Sequence, residues 1–174
     1  MYSRRNRVGR RGITATATAA LSALIMFFTT GVAHADTIVA NFTLSFPDTY
    51  PGTTWYSGNF ELTFQSDGNL VLYRWTDWKV MWATGTWGYD GGKGPATRID
   101  WSSSGWAQIY NKYGERICYL AHNNANGGPY APGGRAMLQD DGNFVFYTTA
   151  DQPNWSTGTY GGRVATNNYC GYSH

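Results

Sequence analysis

The chain has 174 residues, with 13 Lys and Arg against 11 Asp and Glu, which gives a formal net charge of +2. Five of the basic residues are arginines within the first 11 positions, so the rest of the chain carries eight basic and 11 acidic side chains, a net charge of −3. This acidic balance does not favour nucleic acid or an anionic membrane as a partner.

The first segment, residues 1–35, is typical of a secretory signal peptide. A basic start is followed by the apolar run AALSALIMFFTTGVA and then by the small-x-small sequence Ala33-His34-Ala35. A transmembrane anchor is the alternative, but the run is short, contains Thr and Gly, and is followed by no stop-transfer segment. We therefore expect cleavage near Ala35, no membrane insertion, a secreted protein and a single domain over residues 36–174.

The next signal in chain order is a hairpin in residues 61–73. ELTFQ, SDG and NLVLY read as strand, tight turn and strand, because Asp-Gly lies between alternating apolar residues. Gly68 would supply the positive φ of the turn. RAMLQ, DDG and NFVFY, residues 135–147, predict a second hairpin of the same form.

The two hairpins belong to a repeat of about 37 residues, since they lie 74 residues apart and a third, weaker copy begins at residue 102. Two apolar positions are retained in all three copies, and they are filled by Leu70, Ala107 and Phe144 and by Leu72, Ile109 and Phe146. Alternate residues of a strand face opposite sides. We therefore expect one face of each strand to lie in the core.

The opposite face carries a polar row that only the outer copies share. The row residues are Gln65, Asp67, Asn69, Val71 and Tyr73 in the first copy and Gln139, Asp141, Asn143, Val145 and Tyr147 in the last. Carboxylate, amides and phenol match adjacent hydroxyls, and Val would match ring C–H groups, so a neutral sugar fits the row. Turn chemistry alone would explain Asp, Gly and Asn, but not Gln, Val and Tyr held twice in register.

No helical pattern or catalytic constellation is evident after residue 36. Gly/Asn-rich linkers and β-branched and aromatic residues predict a nearly all-β chain. The sequence has no Cys/His cluster with metal spacing, no phosphate loop and no nucleophile elbow. Glu61, Glu115 and Asp140 do not pair with the row. We expect no enzyme, no cofactor and no metal.

The two cysteines, Cys118 and Cys170, both follow the leader. An even number of cysteines in an exported protein favours an intramolecular disulfide. Two buried thiols or an intermolecular bond remain alternatives.

The pattern Gln-x-Asp-x-Asn-x-Val-x-Tyr resembles the mannose-binding motif of the bulb-type, snowdrop-agglutinin-like lectins. The Trp-(Ala/Ser)-Thr-Gly-Thr segments at 82–86 and 155–159 resemble that family as well. The resemblance extends over residues 38–160, and the leader favours a bacterial member. It implies a β-prism II fold, with three four-stranded sheets in a pseudo-threefold arrangement and core tryptophans at Trp82 and Trp155.

The same resemblance implies mannose-type glycans or polysaccharides as partners. Asp and Asn of each row would bind O2 of mannose, Gln would bind O3, Tyr would bind O4, and Val would pack on the ring carbons. The middle copy keeps only the Tyr of the motif, so we expect its mannose site to be degenerate. Its Trp106, Gln108 and Tyr110 could instead stack on a different glycan.

Cys118 stands where the family has a core Trp, and the tail RVATNNYCGYSH extends past the last repeat. We expect Cys170 to tie this tail to Cys118. The strand-exchanged homodimer of the family stays open, because the bridge would hold the terminal strand within its own subunit. A lectin-like bacteriocin and a β-prism scaffold that binds no sugar are the alternative functions.

Overall fold

The computed structural model describes residues 35–42, 46–88, 94–102, 106–120, 122–123, 128–129, 133–165 and 170–172. The predicted leader lies outside the described residues apart from Ala35, as do Ser104 and Gly105 of the middle copy. Within the described part of the chain, no helix is long and apolar enough to cross a bilayer.

The described residues form 14 β-strands and one 3₁₀ turn, Tyr160–Gly162. In chain order the strands are β1 Thr37–Asn41, β2 Thr54–Ser57, β3 Phe60–Phe64, β4 Leu70–Arg74, β5 Lys79–Ala83, β6 Ala96–Ser102, β7 Trp106–Asn111, β8 Arg116–Leu120, β9 His122–Asn123, β10 Gly128–Pro129, β11 Gly133–Leu138, β12 Phe144–Thr148, β13 Pro153–Ser156 and β14 Gly171–Tyr172.

Twelve of these strands form three four-stranded antiparallel sheets, which confirms the predicted all-β, β-prism II class. The first sheet has the order β2-β3-β4-β5, the middle sheet β14-β8-β7-β6, and the last sheet β1-β11-β12-β13. β9 and β10 pair as a separate two-stranded ribbon. The strands of the first sheet follow one another in the chain, whereas β1 joins the last sheet and β14 joins the middle sheet across a long sequence separation.

Both predicted hairpins are present. β3 pairs with β4 so that Leu62 faces Leu72, and β11 pairs with β12 so that Ala136 faces Phe146. In the first turn the N–H of Gly68 donates to the carbonyl of Gln65 over 3.0 Å, with Gly68 at φ +89°. That conformation disfavours any side chain.

The core is one cluster to which all three sheets contribute the same strand positions. The six apolar residues retained in the repeat are at most 3% exposed. Each sheet directs one cross-strand row of three residues toward the core: Leu62, Leu72 and Trp82; Ile99, Ile109 and Cys118; Ala136, Phe146 and Trp155. All are buried except Trp155, which is partly buried and packs against the cluster. Trp82 and Trp155 meet edge to face, with ring centroids 6.0 Å apart.

The middle sheet compensates for its small core residues. Ala107 takes the place of Leu70 and Phe144, but its cross-strand neighbour is Trp101, which is 1% exposed. The corresponding neighbour of Leu70 is Phe64. A large residue opposite a small one keeps the volume of each pair nearly constant, as close packing requires.

The predicted disulfide joins Cys118 to Cys170, with Cα atoms 5.5 Å apart and both residues fully buried. β14 pairs with β8, and Tyr172 faces Cys118. The tail is therefore bonded within its own chain. This confirms the intramolecular bridge, while the homodimer stays a prediction.

Candidate functional site

The first polar row lies on the outer face of the first sheet, on β4 and the turn before it. Gln65 and Tyr73 stand at the two ends of the row, and Gln65 Nε2 donates a hydrogen bond of 2.9 Å to the Tyr73 hydroxyl oxygen. Because Tyr73 accepts this bond, its own proton can be donated elsewhere. The carbonyl oxygen of the Gln65 amide is likewise left as an acceptor.

Asp67 is exposed at the tip of the turn. Its Oδ1 accepts the backbone N–H of Asn69 over 2.9 Å, which is an Asx turn. This bond fixes the side chain and leaves Oδ2 as a charged acceptor, the stronger kind of hydrogen-bond acceptor.

The side chain of Asn69 is fixed by hydrogen bonds to the segment that follows β5. Its Oδ1 accepts the N–H of Gly85 over 2.9 Å and the hydroxyl of Thr84 over 3.0 Å. A backbone N–H can only donate, so the atom that faces Gly85 must be the oxygen. The Nδ2 group of Asn69 therefore points away from these partners and remains a donor, although the residue as a whole is only 9% exposed.

Thr84 is 1% exposed and completes this support, because its hydroxyl also accepts the N–H of Leu70 over 3.0 Å. Thr86 donates to the carbonyl of Gly68 over 2.6 Å, which ties the segment to the turn. The sequence pattern Thr-Gly-Thr thus has a physical function: it fixes the amide of Asn69.

The last sheet repeats this arrangement. Gln139 Nε2 donates to the Tyr147 hydroxyl over 2.9 Å, and Asp141 Oδ1 accepts the N–H of Asn143 over 2.9 Å. Asn143 Oδ1 accepts the Thr157 hydroxyl over 3.2 Å and the N–H of Gly158 over 3.1 Å. The two rows therefore direct the same donors and acceptors outward.

Val71 and Val145 lie within the rows, but each is only 2% exposed. They are buried between the polar side chains of the rows and offer almost no surface to a ligand. The apolar patch that we expected to pack on sugar ring carbons is therefore far smaller than the sequence indicated.

The chain matches no family model and no curated protein sequence. It is similar to the mannose-specific agglutinin of snowdrop, Galanthus nivalis, solved in complex with methyl-α-D-mannoside: 30% identity over 66% of this chain and 92% of that one, with a TM-score of 0.45. It is similar to monomeric mannose-binding lectins of Gastrodia elata, with 25% identity, coverage of 66% and 93%, and a TM-score of 0.49. A lectin of Marasmius oreades gives 24% identity, coverage of 64% and 85%, and a TM-score of 0.48.

The outer face of the middle sheet has different chemistry. The Tyr110 hydroxyl donates to Gln108 Oε1 over 3.0 Å, and Arg116 donates to the same oxygen over 3.4 Å. The guanidinium of Arg98 lies 4.3 Å from the centre of the Tyr110 ring and forms an ion pair of 2.7 Å with Asp48. Gln108 stands at the position that Val71 and Val145 fill in the other sheets.

Asp100 joins this cluster, 3.7 Å from Arg98. Burial raises the pKa of Asp100, the charge of Asp48 raises it further, and the charge of Arg98 opposes both effects. Ser104 lies outside the described residues, as do the side chains of Ser102 and Trp106. That the middle mannose site is degenerate stays a prediction.

Two supports of the rows were not recognised as such from the sequence. Thr84 with Gly85 and Thr157 with Gly158 fix the two Asn side chains, although they lie about 15 residues after the Asn that they hold. The signal was present, because Thr-Gly-Thr occurs at 84–86 and again at 157–159. The pairing of β4 with β5 and of β12 with β13 shows which residues these threonines reach.

Proposed function

We propose that this protein is a carbohydrate-binding lectin of the bulb-type family that binds mannose or mannose-containing glycans. One site would comprise Gln65 to Tyr73, and the other Gln139 to Tyr147. The observation that supports this most strongly is the duplicated hydrogen-bond arrangement of the two rows. Turn stability requires only the hydrogen bond that the backbone N–H of Asn donates to the Asp side chain, not a matched Gln–Tyr pair eight residues apart.

The atoms left outward in each row suit neighbouring sugar hydroxyls. In the first row, Asp67 Oδ2 accepts, Asn69 Nδ2 donates, and Tyr73 can donate its hydroxyl proton. A hydroxyl both donates and accepts, so it can bridge Asp67 and Asn69 at once. The neutral and polar character of the remaining groups supports an uncharged ligand, and the motif resemblance supports mannose among the sugars.

Binding at each site is expected to be weak, roughly millimolar, which corresponds to about −4 kcal/mol. Two sites on one chain increase the strength of attachment when a branched glycan reaches both. We further propose that residues 1–35 direct export and that the folded domain acts outside the cell. The two sites would then serve adhesion to glycans without catalysis.

The experiment is retention on mannan-agarose, with elution by free methyl mannoside. The double variant Asp67→Asn with Asp141→Asn keeps both Oδ1 acceptors, and therefore both turns, but replaces each outward oxygen by an NH₂ group. Loss of one hydrogen bond to a charged acceptor costs about 1.5–3 kcal/mol, or more than tenfold in affinity per site. We expect retention to disappear while the melting temperature stays unchanged.

Asp140→Asn is the matched control, because it makes the same chemical change at an exposed neighbour outside the row. This variant should bind as the wild type does. Retention of the double variant, or equal loss in the Asp140→Asn control, would contradict the assignment of the sites.

A further inference from the structure

A cleft of about 450 Å³ lies on the outer face of the first sheet, next to the first polar row. We name it the aromatic cleft. It is lined by Tyr56, Gly58, Glu61, Trp75 and Trp78. None of these residues belongs to the rows described above.

The aromatic side chains of the cleft are unusually exposed. Trp78 is 67% exposed, Tyr56 62% and Trp75 44%. Clustered exposed rings of this kind mark binding surfaces more often than isolated exposed apolar residues do. Each ring offers a flat apolar face, and the indole N–H and phenol hydroxyl can form hydrogen bonds.

The loop that carries the two tryptophans is held in place. Arg74 donates two hydrogen bonds to the carboxylate of Asp77, of 2.9 and 2.7 Å, and this bidentate pair closes the turn. Trp75 Nε1 donates to the carbonyl of Gly58 over 3.3 Å. Trp78 has φ +55°, a conformation that is unfavourable for a bulky residue. The last hairpin has φ +58° at the same position, so this conformation belongs to the turn that both repeats share.

Glu61 gives the cleft one charged acceptor. It lies on β3, facing Tyr56 on one side and Tyr73 on the other. Burial raises the pKa of Glu61. In the described part of the chain it forms no ion pair, so its carboxylate is available to accept hydrogen bonds from a ligand.

The cleft continues directly from the row. Trp78 packs edge to face on Tyr73, with ring centroids 6.4 Å apart. The row and the cleft are therefore adjacent, so a ligand longer than one sugar that contacts Tyr73 has the two tryptophans within reach.

We propose that the aromatic cleft binds a second pyranose ring, in an oligosaccharide whose terminal sugar occupies the row from Gln65 to Tyr73. The C–H face of that ring would pack on the indoles, and its hydroxyls would donate to Glu61. This inference rests on the proposed function of the row. It adds that the first site distinguishes an oligosaccharide from a monosaccharide.

The last sheet provides a control within the same molecule. Arg135 takes the position of Glu61 and faces Tyr147. Its guanidinium lies 5.0 Å from the centre of the Tyr147 ring and pairs with Asp151. Thr149 takes the position of Trp75 in the repeat. The last row therefore lacks the features of the aromatic cleft, and should bind an oligosaccharide no better than a monosaccharide.

The test compares methyl α-mannoside with three α-linked dimannosides (1→2, 1→3 and 1→6) by calorimetric titration. In the Asp141→Asn protein only the first row is intact, and in the Asp67→Asn protein only the last. We expect at least one dimannoside to bind the former about tenfold more tightly than methyl α-mannoside, which is about 1.4 kcal/mol. In the Asp67→Asn protein the ratio should be about one.

Trp75→Ala in the Asp141→Asn background should reduce that ratio to about one. Trp87→Ala is the matched control, since Trp87 is 63% exposed and outside the cleft, and it should leave the ratio unchanged. Equal affinities for all four ligands in the Asp141→Asn protein would overturn the inference while leaving the proposed function intact. Failure of the wild type to bind any of the four would overturn both.

Discussion

The substitution Thr84→Val tests whether the Thr-Gly-Thr segment supports the first row. Valine keeps the shape of the side chain and removes only the hydroxyl. Thr84 is 1% exposed, and its hydroxyl accepts the N–H of Leu70 over 3.0 Å and donates to Asn69 Oδ1 over 3.0 Å. Both bonds disappear in the variant, as does the contact of 2.8 Å between the hydroxyls of Thr84 and Thr86.

The three losses differ in size, and the loss at Thr86 is small because its hydroxyl still donates to the carbonyl of Gly68. Leu70 is fully buried, and its N–H is left without the partner it has in the wild type, which costs about 1–3 kcal/mol. Asn69 Oδ1 keeps the N–H of Gly85 over 2.9 Å, so its loss is about 1 kcal/mol or less. The buried methyl group that replaces the hydroxyl recovers part of this lost free energy through the hydrophobic effect. We expect a net loss of about 2 kcal/mol in the free energy of unfolding, or about 8 °C in melting temperature.

Urea unfolding measures this loss directly, with Thr84→Ser as the control because serine keeps the hydroxyl. The midpoint should fall in the valine variant at constant m value. Sugar affinity at the first row should also fall, because Asn69 has lost one of its two fixed partners. A valine variant within about 0.5 kcal/mol of the wild type would refute the reasoning, since a neutral surface change has that size.

Three further predictions concern the rest of the fold. Replacing Cys118 and Cys170 together by alanine opens a loop of 52 residues. Chemical denaturation should show that the free energy of unfolding falls by about 4 kcal/mol, as the chain-entropy estimate gives. A fall of less than about 1 kcal/mol would contradict this. The raised pKa of Asp100 means that its charge opposes folding at neutral pH and that this penalty vanishes as pH falls below the unfolded pKa of about 3.9. Asp100→Asn should therefore gain melting temperature relative to the wild type at pH 7 but not at pH 3, and an equal effect at both values would be contrary evidence. Gly68→Ala places a Cβ 2.5 Å from the backbone of Ala96 and should prevent or severely weaken folding, as followed by circular dichroism. Gly85→Ala meets no atom within 4 Å and should cost only about 1 kcal/mol of strain. Similar stability of the two variants would count against the close contact between Gly68 and Ala96.

Much of the fold could be predicted because the repeat separates two strand faces. Leu70, Ala107 and Phe144 occupy equivalent buried positions, as alternation along a strand requires. Both hairpins could be predicted as well, because Asp-Gly between alternating apolar residues is typical of a tight turn. The fourth strand of the last sheet could not be predicted, since pairing between distant chain segments leaves no local pattern. For the middle sheet the two cysteines predicted that the tail is joined to Cys118, but not the pairing of β14 with β8.

The site was less predictable than the fold. The order of residues identified Gln65 and Tyr73 as one row, but it did not show that Val71 would be 2% exposed beneath them. The exposed fraction of a side chain depends on which residues of neighbouring strands pack over it, and the local sequence does not contain that information. The aromatic cleft was missed for a related reason, because Glu61 and Trp75 come together only through the register of β3 with β4.

The most direct test of the two sites is an amide NMR titration of the wild-type protein with methyl α-mannoside to concentrations well above the expected millimolar dissociation constant. The account predicts two separate groups of shifting signals, one around Asn69 and Gly85 and the other around Asn143 and Gly158, with no comparable group around Gln108. Shifts confined to other surfaces, or no shifts at saturating sugar, would contradict it.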